Sequence, residues 1–133
     1  MTHPSITTPT AVLEAVSTNV RLLCFKAGAV VDTAAIAGNM AAGHELPDCR
    51  AVIMYVPENT TFTFDMLDRD HPERLGFAES TWFLALVVED ALLRQAAELY
   101  FTHHPPVYRY KVVDNMHAAR EWVRMMLQEA MSV

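Results

Sequence analysis

Glycine is scarce in this sequence, and the glycine-rich motifs of phosphate-binding and hydrolytic sites are missing. The 133 residues include four glycines, and neither Gly-x-x-x-x-Gly-Lys nor Gly-x-Gly-x-x-Gly occurs. Because those motifs let backbone N–H groups approach phosphate oxygens, their absence leaves little to hold a nucleotide. A Gly-x-Ser-x-Gly nucleophile turn is absent as well. We therefore expect no catalytic residue, no enzymatic activity and no cofactor.

Cysteine is also scarce, and its spacing excludes the common cysteine-based sites. Cys24 and Cys49 are 25 residues apart, and no Cys-x-x-Cys pair exists. The N-terminus does not join a basic region to an apolar run of signal-peptide length. These features indicate a reducing, cytoplasmic setting in which both thiols are buried as small hydrophobic side chains.

Positive charge and long apolar runs are in short supply too. The sequence contains ten basic and 16 acidic residues, which gives a net charge of −6. Such a charge repels phosphate backbones, so nucleic acid is not an expected partner. The longest apolar runs, such as Phe83–Val88, fall far short of the roughly 20 residues of a membrane span. We expect a soluble protein without a membrane span.

The composition that remains is that of one globular domain. Hydrophobic residues make up 52% of the chain, which is slightly rich and suggests apolar surface buried against a partner. Residues 1–10 contain two prolines and four threonines without periodicity, which predicts a flexible arm. The domain is then expected to span residues 11–133.

Apolar runs predict the strands. Arg50 to Val56 and Trp82 to Val88 are almost continuously apolar, as in interior strands covered on both faces. The runs at 11–16 and 20–28 are separated by Ser17, Thr18 and Asn19, which favours a β-hairpin over a helix at 10–16. Residues 107–113 alternate aromatic and basic side chains, as a half-exposed strand does.

Capping residues predict the helices. Asp32 or Thr33 caps a helix that ends near Ala42, with Gly43 in the left-handed conformation that often follows a helix. Asp90 caps a second helix over 91–101, which Pro105 prevents from continuing. Its expected core-facing stripe is Leu92, Leu93, Ala96, Leu99 and Tyr100. Asp114 or Asn115 caps a final helix that runs to about Ala130.

The connection between the two interior strands is ambiguous. Thr61 to Phe64 alternate as an edge strand does, whereas Asp65 to Asp68 suit a helix start, and we expect a helical connection over 57–81. The element order then predicts an α/β domain with a mixed sheet of about five strands and helices packed against it.

The back half of the chain contains, in this order, the segments FLALVV, EDALLRQAAELYF, HHPP, VYRYKVV and DNMHAAREWV. Together these segments resemble a bacterial STAS-like family. The family comprises uncharacterised relatives of the sulfate-transporter and anti-sigma-factor-antagonist domain. The resemblance covers about Ala11 to Val123 and is firmest from Phe83 onward. It implies a STAS-like single domain with a regulatory or protein-interaction role.

We do not expect the regulatory phosphorylation switch of that family in this chain. In its phosphorylatable antagonists a strand leads into an Asp-Ser-Ser-Gly turn, whereas the corresponding strand here leads into VPENTTFTF, without serine or glycine. Modification of Thr60 or Thr61 is conceivable, but threonines at such positions more often cap a helix or turn.

Residues 101–115, FTHHPPVYRYKVVDN, raise the question of a metal or nucleotide site. Zinc takes four ligands or three plus water, and adjacent His103 and His104 rarely point the same way. Tyr108 and Tyr110 alternate with cations, which suits tyrosines facing the core better than a stacking platform. We interpret the segment as a helix-ending turn and a strand, without metal. Further metal ligands would come only through folding, from Asp68, Asp70, His71 and Glu73, or from His44, Glu45 and Cys49.

The last helix has more apolar residues than one core-facing stripe needs. Six of them suffice to cover a sheet, namely Ala119, Trp122, Val123, Met126, Leu127 and Ala130. Met116, Ala118 and Met125 are then left toward the flank, where they form a candidate homodimer interface.

Two functions remain open. The first is the STAS-like regulatory or interaction module, and the alternative is a domain that binds a lipophilic small molecule in an apolar pocket.

Overall fold

A computed structural model describes residues 4–63, 81–106 and 108–131 of the chain. Its main sheet contains six strands, in the spatial order β1 (Ser5–Thr7), β2 (Ala11–Ala15), β3 (Val20–Phe25), β5 (Ala51–Val56), β7 (Phe83–Val88) and β8 (Arg109–Val113). A separate pair joins β4 (Val30–Val31) and β6 (Thr61–Phe62). The helices within the described ranges are α1 (Thr33–Gly43), α2 (Ala91–His103) and α3 (Met116–Met131). The predicted α/β class with a mixed sheet is confirmed, with six strands rather than about five.

The additional strand is β1, which lies in the segment expected to be an arm. Ser5 to Thr7 pair antiparallel with β2, and Ile6 packs against the core. The hydroxyl oxygen of Thr8 accepts hydrogen bonds from the backbone N–H of Ala11 at 3.0 Å and of Thr10 at 3.3 Å, which closes the turn into β2. A strand of three residues between two prolines is too short to show a periodicity in the sequence.

The predicted hairpin and interior strands are confirmed. β2 pairs antiparallel with β3, and β3, β5, β7 and β8 then run parallel. All six residues of β7 are buried, because the strand is covered on both faces. Trp82, expected in this strand, lies just before it and is 41% exposed, with the Arg50 guanidinium 4.5 Å from its ring centroid.

Each helix begins at a predicted cap. The Asp32 carboxylate accepts from the Ala35 N–H at 2.8 Å, and Asp90 accepts from two N–H groups in the first turn of α2. The Asn115 side-chain oxygen accepts from the Ala118 N–H at 2.8 Å. These bonds satisfy N–H groups that the first helical turn cannot pair internally.

The expected left-handed conformation of Gly43 is wrong. Gly43 is the last helical residue of α1, and His44 after it has a φ of −68°. Within the described residues Gly28 alone has a positive φ, of 74°. A Cβ atom on Gly43 would lie 2.9 Å from Nη1 of Arg21, so a larger residue there requires the end of the Arg21 side chain to shift.

The helices divide between the two faces of the sheet. α1 and α2 cover the front face, to which Leu84, Leu86 and Val88 of β7 belong, and α3 covers the back face with Phe83, Ala85 and Val87. This alternation along one strand is the period of two of extended backbone. It explains why the sequence of β7 is apolar throughout.

The predicted core stripe of α2 is partly wrong. Leu92 and Leu99 are 76% and 59% exposed. The residues that pack on the front face are Leu93, Ala97, Tyr100 and Phe101. This set follows the i, i+4, i+7, i+8 spacing of a single helix face, rotated from the predicted one.

On the back face, Ala119 and Val123 of α3 are buried, and Trp122, Met126 and Leu127 pack partly buried around them. Ala130, expected to cover the sheet, is exposed. It lies near the C-terminal end of α3, beyond the partly buried Leu127.

The connection after β5 begins with a turn at 57–60 and continues as a short strand, so its described part is not the expected helix. Thr61 and Phe62 pair parallel with Val30 and Val31, so the edge-strand alternative holds for these two residues. The expected helix start at Asp65 to Asp68 lies outside the described residues, which resume at 81.

Candidate functional site

An apolar cavity of about 380 Å³ lies on the front face of the sheet. α1 packs chiefly over β2 and β4, and α2 packs over β7 and β8. The two helices therefore stand apart above the middle of the sheet, and the cavity occupies the space between them. Its floor is formed by alternate residues of the central strands, Met54, Val56, Leu84, Leu86 and Val88.

The walls of the cavity come from one face of each helix. Ile36 and Met40 line it from α1, one helical turn apart. α2 contributes Leu93, Ala96, Ala97, Tyr100 and Phe101. The two alanines have short side chains, so this wall stands back from the floor and the space between them stays open.

The described lining residues carry no charge, and polar groups among them are few. Thr60, after the end of β5, is 5% exposed and lines the cavity. Its hydroxyl oxygen is buried and makes no hydrogen bond with a described residue. The expectation that the Thr60 side chain caps a turn is therefore wrong, since its backbone N–H makes the turn bond, to the Pro57 carbonyl oxygen at 3.2 Å. Thr61, the other candidate cap, is exposed in β6.

The histidine segment is a turn, as predicted. α2 ends at His103, and the His104 N–H donates to the Tyr100 carbonyl oxygen at 2.8 Å. The ring of His104 lies 4.8 Å from that of Tyr100, measured between centroids. His103 is exposed, so the two imidazoles do not share an environment.

No three His, Cys, Asp or Glu side chains within the described ranges lie close enough together to hold a metal ion. His44 and Glu45 are exposed, whereas Cys49 is buried. The other candidate ligands, Asp68, Asp70, His71 and Glu73, lie outside the described residues.

The tyrosines of the last strand segment lie on the core side, with different burial. Tyr108 is 6% exposed and lines the cavity. Tyr110 is 39% exposed and stacks on Phe101, with 4.5 Å between ring centroids. Arg109 and Lys111 are exposed, as predicted. Tyr110 is less buried than expected because β8 is an edge strand of the sheet.

Neither cysteine is activated as a nucleophile. Burial, then the negative charge of Glu14, raises the pKa of the Cys24 thiol. Burial also raises the pKa of Cys49, although the Arg21 guanidinium opposes it. Cys49 is buried as predicted, and Cys24 is half-buried. Both thiols are free and are held in the protonated, unreactive form at neutral pH.

The three candidate interface residues do not share one surface. Met116 and Ala118 pack partly buried on the back-face core, whereas Met125 is 48% exposed. Met116 and Met125 are about two and a half helical turns apart, so they project from opposite sides of α3. The homodimer interface remains a prediction, with Met125 as its exposed member.

The sequence reveals the elements around the cavity but gives little sign of the cavity itself. Leu86 and Val88 line an open space, while Val87 between them is fully packed, and all three belong to one apolar run. The pair Ala96 and Ala97 in α2 is a weak sign of the cavity in the sequence, since small side chains on a helix that packs against a sheet leave space unfilled between the two.

No protein-family model matches this sequence, and neither a curated protein nor a solved structure matches it significantly. The STAS-like resemblance therefore rests on the residues that suggested it. Within the part of the chain that the structure describes, every helix is too short or too polar to span a bilayer.

Proposed function

We propose that this protein is a non-enzymatic module that binds a lipophilic small molecule in the front-face cavity. The observation that carries the proposal is the cavity itself. Its volume of about 380 Å³ lies within the range of roughly 300–1,000 Å³ that is typical of ligand sites. The side chains that line it within the described ranges are apolar apart from a few hydroxyl groups. That combination favours a largely hydrocarbon ligand over a sugar, nucleotide or metal ion.

Packing energetics support an occupied cavity. Protein interiors are normally as dense as organic crystals, and unfilled apolar volume costs free energy. The cavity is about half open to solvent, so this cost consists mainly of apolar surface that stays in contact with water. A ligand that fills the cavity restores the missing contacts and removes its own apolar surface from water.

The test is binding of the neutral fluorescent probe N-phenyl-1-naphthylamine to the purified, delipidated protein. We expect saturable one-to-one binding. Ala97→Phe places a phenyl group in the cavity from α2 and should weaken probe binding at least about tenfold, by steric exclusion. Ala130→Phe makes the same change at an exposed position of α3, on the back face, and should bind the probe as the parent does.

Two outcomes would contradict this function. The first is that the parent protein binds no probe saturably, and the second is that Ala97→Phe binds the probe as tightly as the parent while remaining folded by circular dichroism. If neither outcome is observed, mass spectrometry of an organic extract of protein purified without delipidation identifies the class of the natural ligand.

The STAS-like regulatory role is the second candidate function, and it rests on the sequence resemblance. An α/β domain with a mixed sheet is compatible with it. A cytoplasmic location, inferred from the free cysteines, belongs to the same proposal. Ligand binding and a regulatory role are compatible if a ligand in the cavity changes the affinity of this protein for a protein partner. A pull-down performed with and without the extracted ligand distinguishes the two roles.

A further inference from the structure

Aromatic side chains are enriched around the front-face cavity. Aromatic residues make up 9% of the whole chain. Of the 17 described residues that line the cavity, five are aromatic, namely Phe25, Phe62, Tyr100, Phe101 and Tyr108. Leucine, isoleucine and valine would make an equally apolar lining, so the rings indicate a preference beyond hydrophobicity.

Two of these rings lie at the carboxyl ends of the strands. Phe25 is the last residue of β3, and the register of the sheet places it level with Val88, the last residue of β7. The ring of Phe62 in β6 meets that of Phe25 edge to face, with 6.2 Å between centroids and an interplanar angle of 88°. Phe62 lines the cavity and is only half-buried, which leaves part of its ring for contact with a ligand.

The other three rings lie toward the amino ends of the strands. Tyr108 directly precedes β8, and Tyr100 and Phe101 come from the last turn of α2. The rings of Tyr100 and Phe101 are 5.5 Å apart at an angle of 75°, and Tyr100 is half-buried. The stretch of β7 between the two groups of rings, from Leu84 to Val88, spans about 13 Å.

Thioether groups line the cavity between the two groups of rings. Met54 of β5 is in register with Leu86 in the middle of β7, and Met40 faces it from α1. The polarisable sulfur of methionine makes favourable contacts with the edges of aromatic rings. The cavity thus provides ring-binding contacts at both ends and along its middle.

We propose, on the basis of the ligand-binding function, that the natural ligand is an aromatic compound rather than a saturated lipid such as a fatty acyl chain. A ligand ring can pack edge to face on Phe62 or Tyr100, an arrangement in which the positive edge of one ring meets the negative face of the other. Each such contact adds about two- to tenfold in affinity beyond the burial of the same apolar area. A saturated chain lacks this contribution.

The test compares 4-phenyl-1-butanol with 4-cyclohexyl-1-butanol, which share a carbon skeleton and a hydroxyl group and differ in aromaticity. Both affinities are measured by displacement of N-phenyl-1-naphthylamine. The cyclohexyl probe is the more hydrophobic of the two, so burial of apolar surface alone favours it. We expect the parent protein to bind the phenyl probe at least about twofold more tightly, because contacts between rings outweigh that difference.

Two variants remove the accessible rings one at a time. Phe62→Leu and Tyr100→Leu keep an apolar side chain at each end of the cavity, and each should lower the phenyl-to-cyclohexyl affinity ratio about two- to fivefold. Leu93→Val is the matched control, since it shortens an aliphatic lining residue. It should keep the ratio within about 1.5-fold of the parent value, even where both affinities fall.

Equal or tighter binding of the cyclohexyl probe by the parent would overturn the aromatic preference and leave the cavity function intact. The same conclusion follows if neither ring variant lowers the ratio while folded by circular dichroism, or if Leu93→Val lowers it as much as they do. Failure of the parent to bind N-phenyl-1-naphthylamine saturably would overturn both.

Discussion

The role that the sequence predicts for the Thr60 side chain differs from the one it has in the structure. In the sequence it stands beside Thr61 after a strand and a proline, where a capping role is the simplest interpretation. In the structure the backbone N–H of Thr60 makes the turn bond, and its hydroxyl is buried beside the cavity. The sequence therefore predicts the turn correctly, but the backbone rather than the side chain of Thr60 closes it.

Tyr55 provides a residue-scale prediction of pH dependence. Its hydroxyl donates to the Glu89 carboxylate at 2.8 Å, and this hydrogen bond raises the Tyr55 pKa above its ordinary value. Because the folded-state pKa is the higher one, the stabilisation is fully present below the unfolded-state pKa, near 10, and is lost as the pH rises through the folded-state pKa. We expect Glu89→Ala to lower the Tyr55 pKa.

The measurement is a phenolate absorbance titration of the folded protein. The Tyr55→Phe variant supplies the contribution of the other tyrosines, and its difference from the parent isolates Tyr55. An unchanged Tyr55 titration in Glu89→Ala would show that the carboxylate does not control this phenol.

At the scale of elements, the last residue of α1 lies close to a neighbouring arginine. The Arg21 guanidinium donates to the Pro47 carbonyl oxygen at 2.9 Å, and a Cβ on Gly43 would meet its Nη1 at 2.9 Å. We expect Gly43→Ala to change the free energy of unfolding by no more than about 0.5 kcal/mol, since the cost of shifting the flexible end of Arg21 offsets the gain in helix propensity. Urea denaturation measures the change.

Gly38 in the same helix is the matched control, because a Cβ there would meet nothing within 4 Å. Gly38→Ala should raise the free energy of unfolding by roughly 0.5–1 kcal/mol through helix propensity alone. In an Arg21→Ala background, Gly43→Ala should become stabilising as well. A Gly43→Ala variant that stabilises the parent as much as Gly38→Ala does would refute the clash.

Local rules predict where elements lie but not how they are rotated or spaced. Asp32, Asp90 and Asn115 are recognisable caps because capping depends on the next three residues. By contrast, α2 has apolar residues around much of its circumference, so the sequence alone did not show that Leu92 and Leu99 face outward. The gap between α1 and α2 depends on the packing of distant segments, and no local pattern encodes it.

At the scale of the whole molecule, self-association remains open to test. Met125 is 48% exposed on α3 and contributes apolar surface to the predicted dimer interface. We predict a homodimer at tens of micromolar that Met125→Glu dissociates, because a buried interface does not tolerate an unpaired carboxylate. Light scattering measures the mass of both proteins.

The control is Gln95→Glu, which adds a carboxylate at an exposed position of α2, on the opposite face of the sheet, and should leave the dimer intact. A monomeric parent would refute the dimer. A dimer that persists in Met125→Glu would place the interface elsewhere, and the exposed Leu92 and Leu99 of α2 would be the next residues to change.

The two faces of the sheet provide the most direct test of the central claim, that the front-face cavity binds a lipophilic ligand. Val88 lines the cavity, whereas Val87, the preceding residue, packs on the back face. Ile36 and Leu86 are further lining residues, and Ile53 and Val123 are their back-face counterparts.

The measurement is a methyl NMR titration of the Ile-, Leu- and Val-labelled protein with N-phenyl-1-naphthylamine. The aromatic rings of the probe should shift the methyl signals of Ile36, Leu86 and Val88 strongly and leave those of Ile53, Val87 and Val123 nearly unchanged. Equal shifts on both faces, or shifts confined to the back face, would contradict a ligand site between α1 and α2.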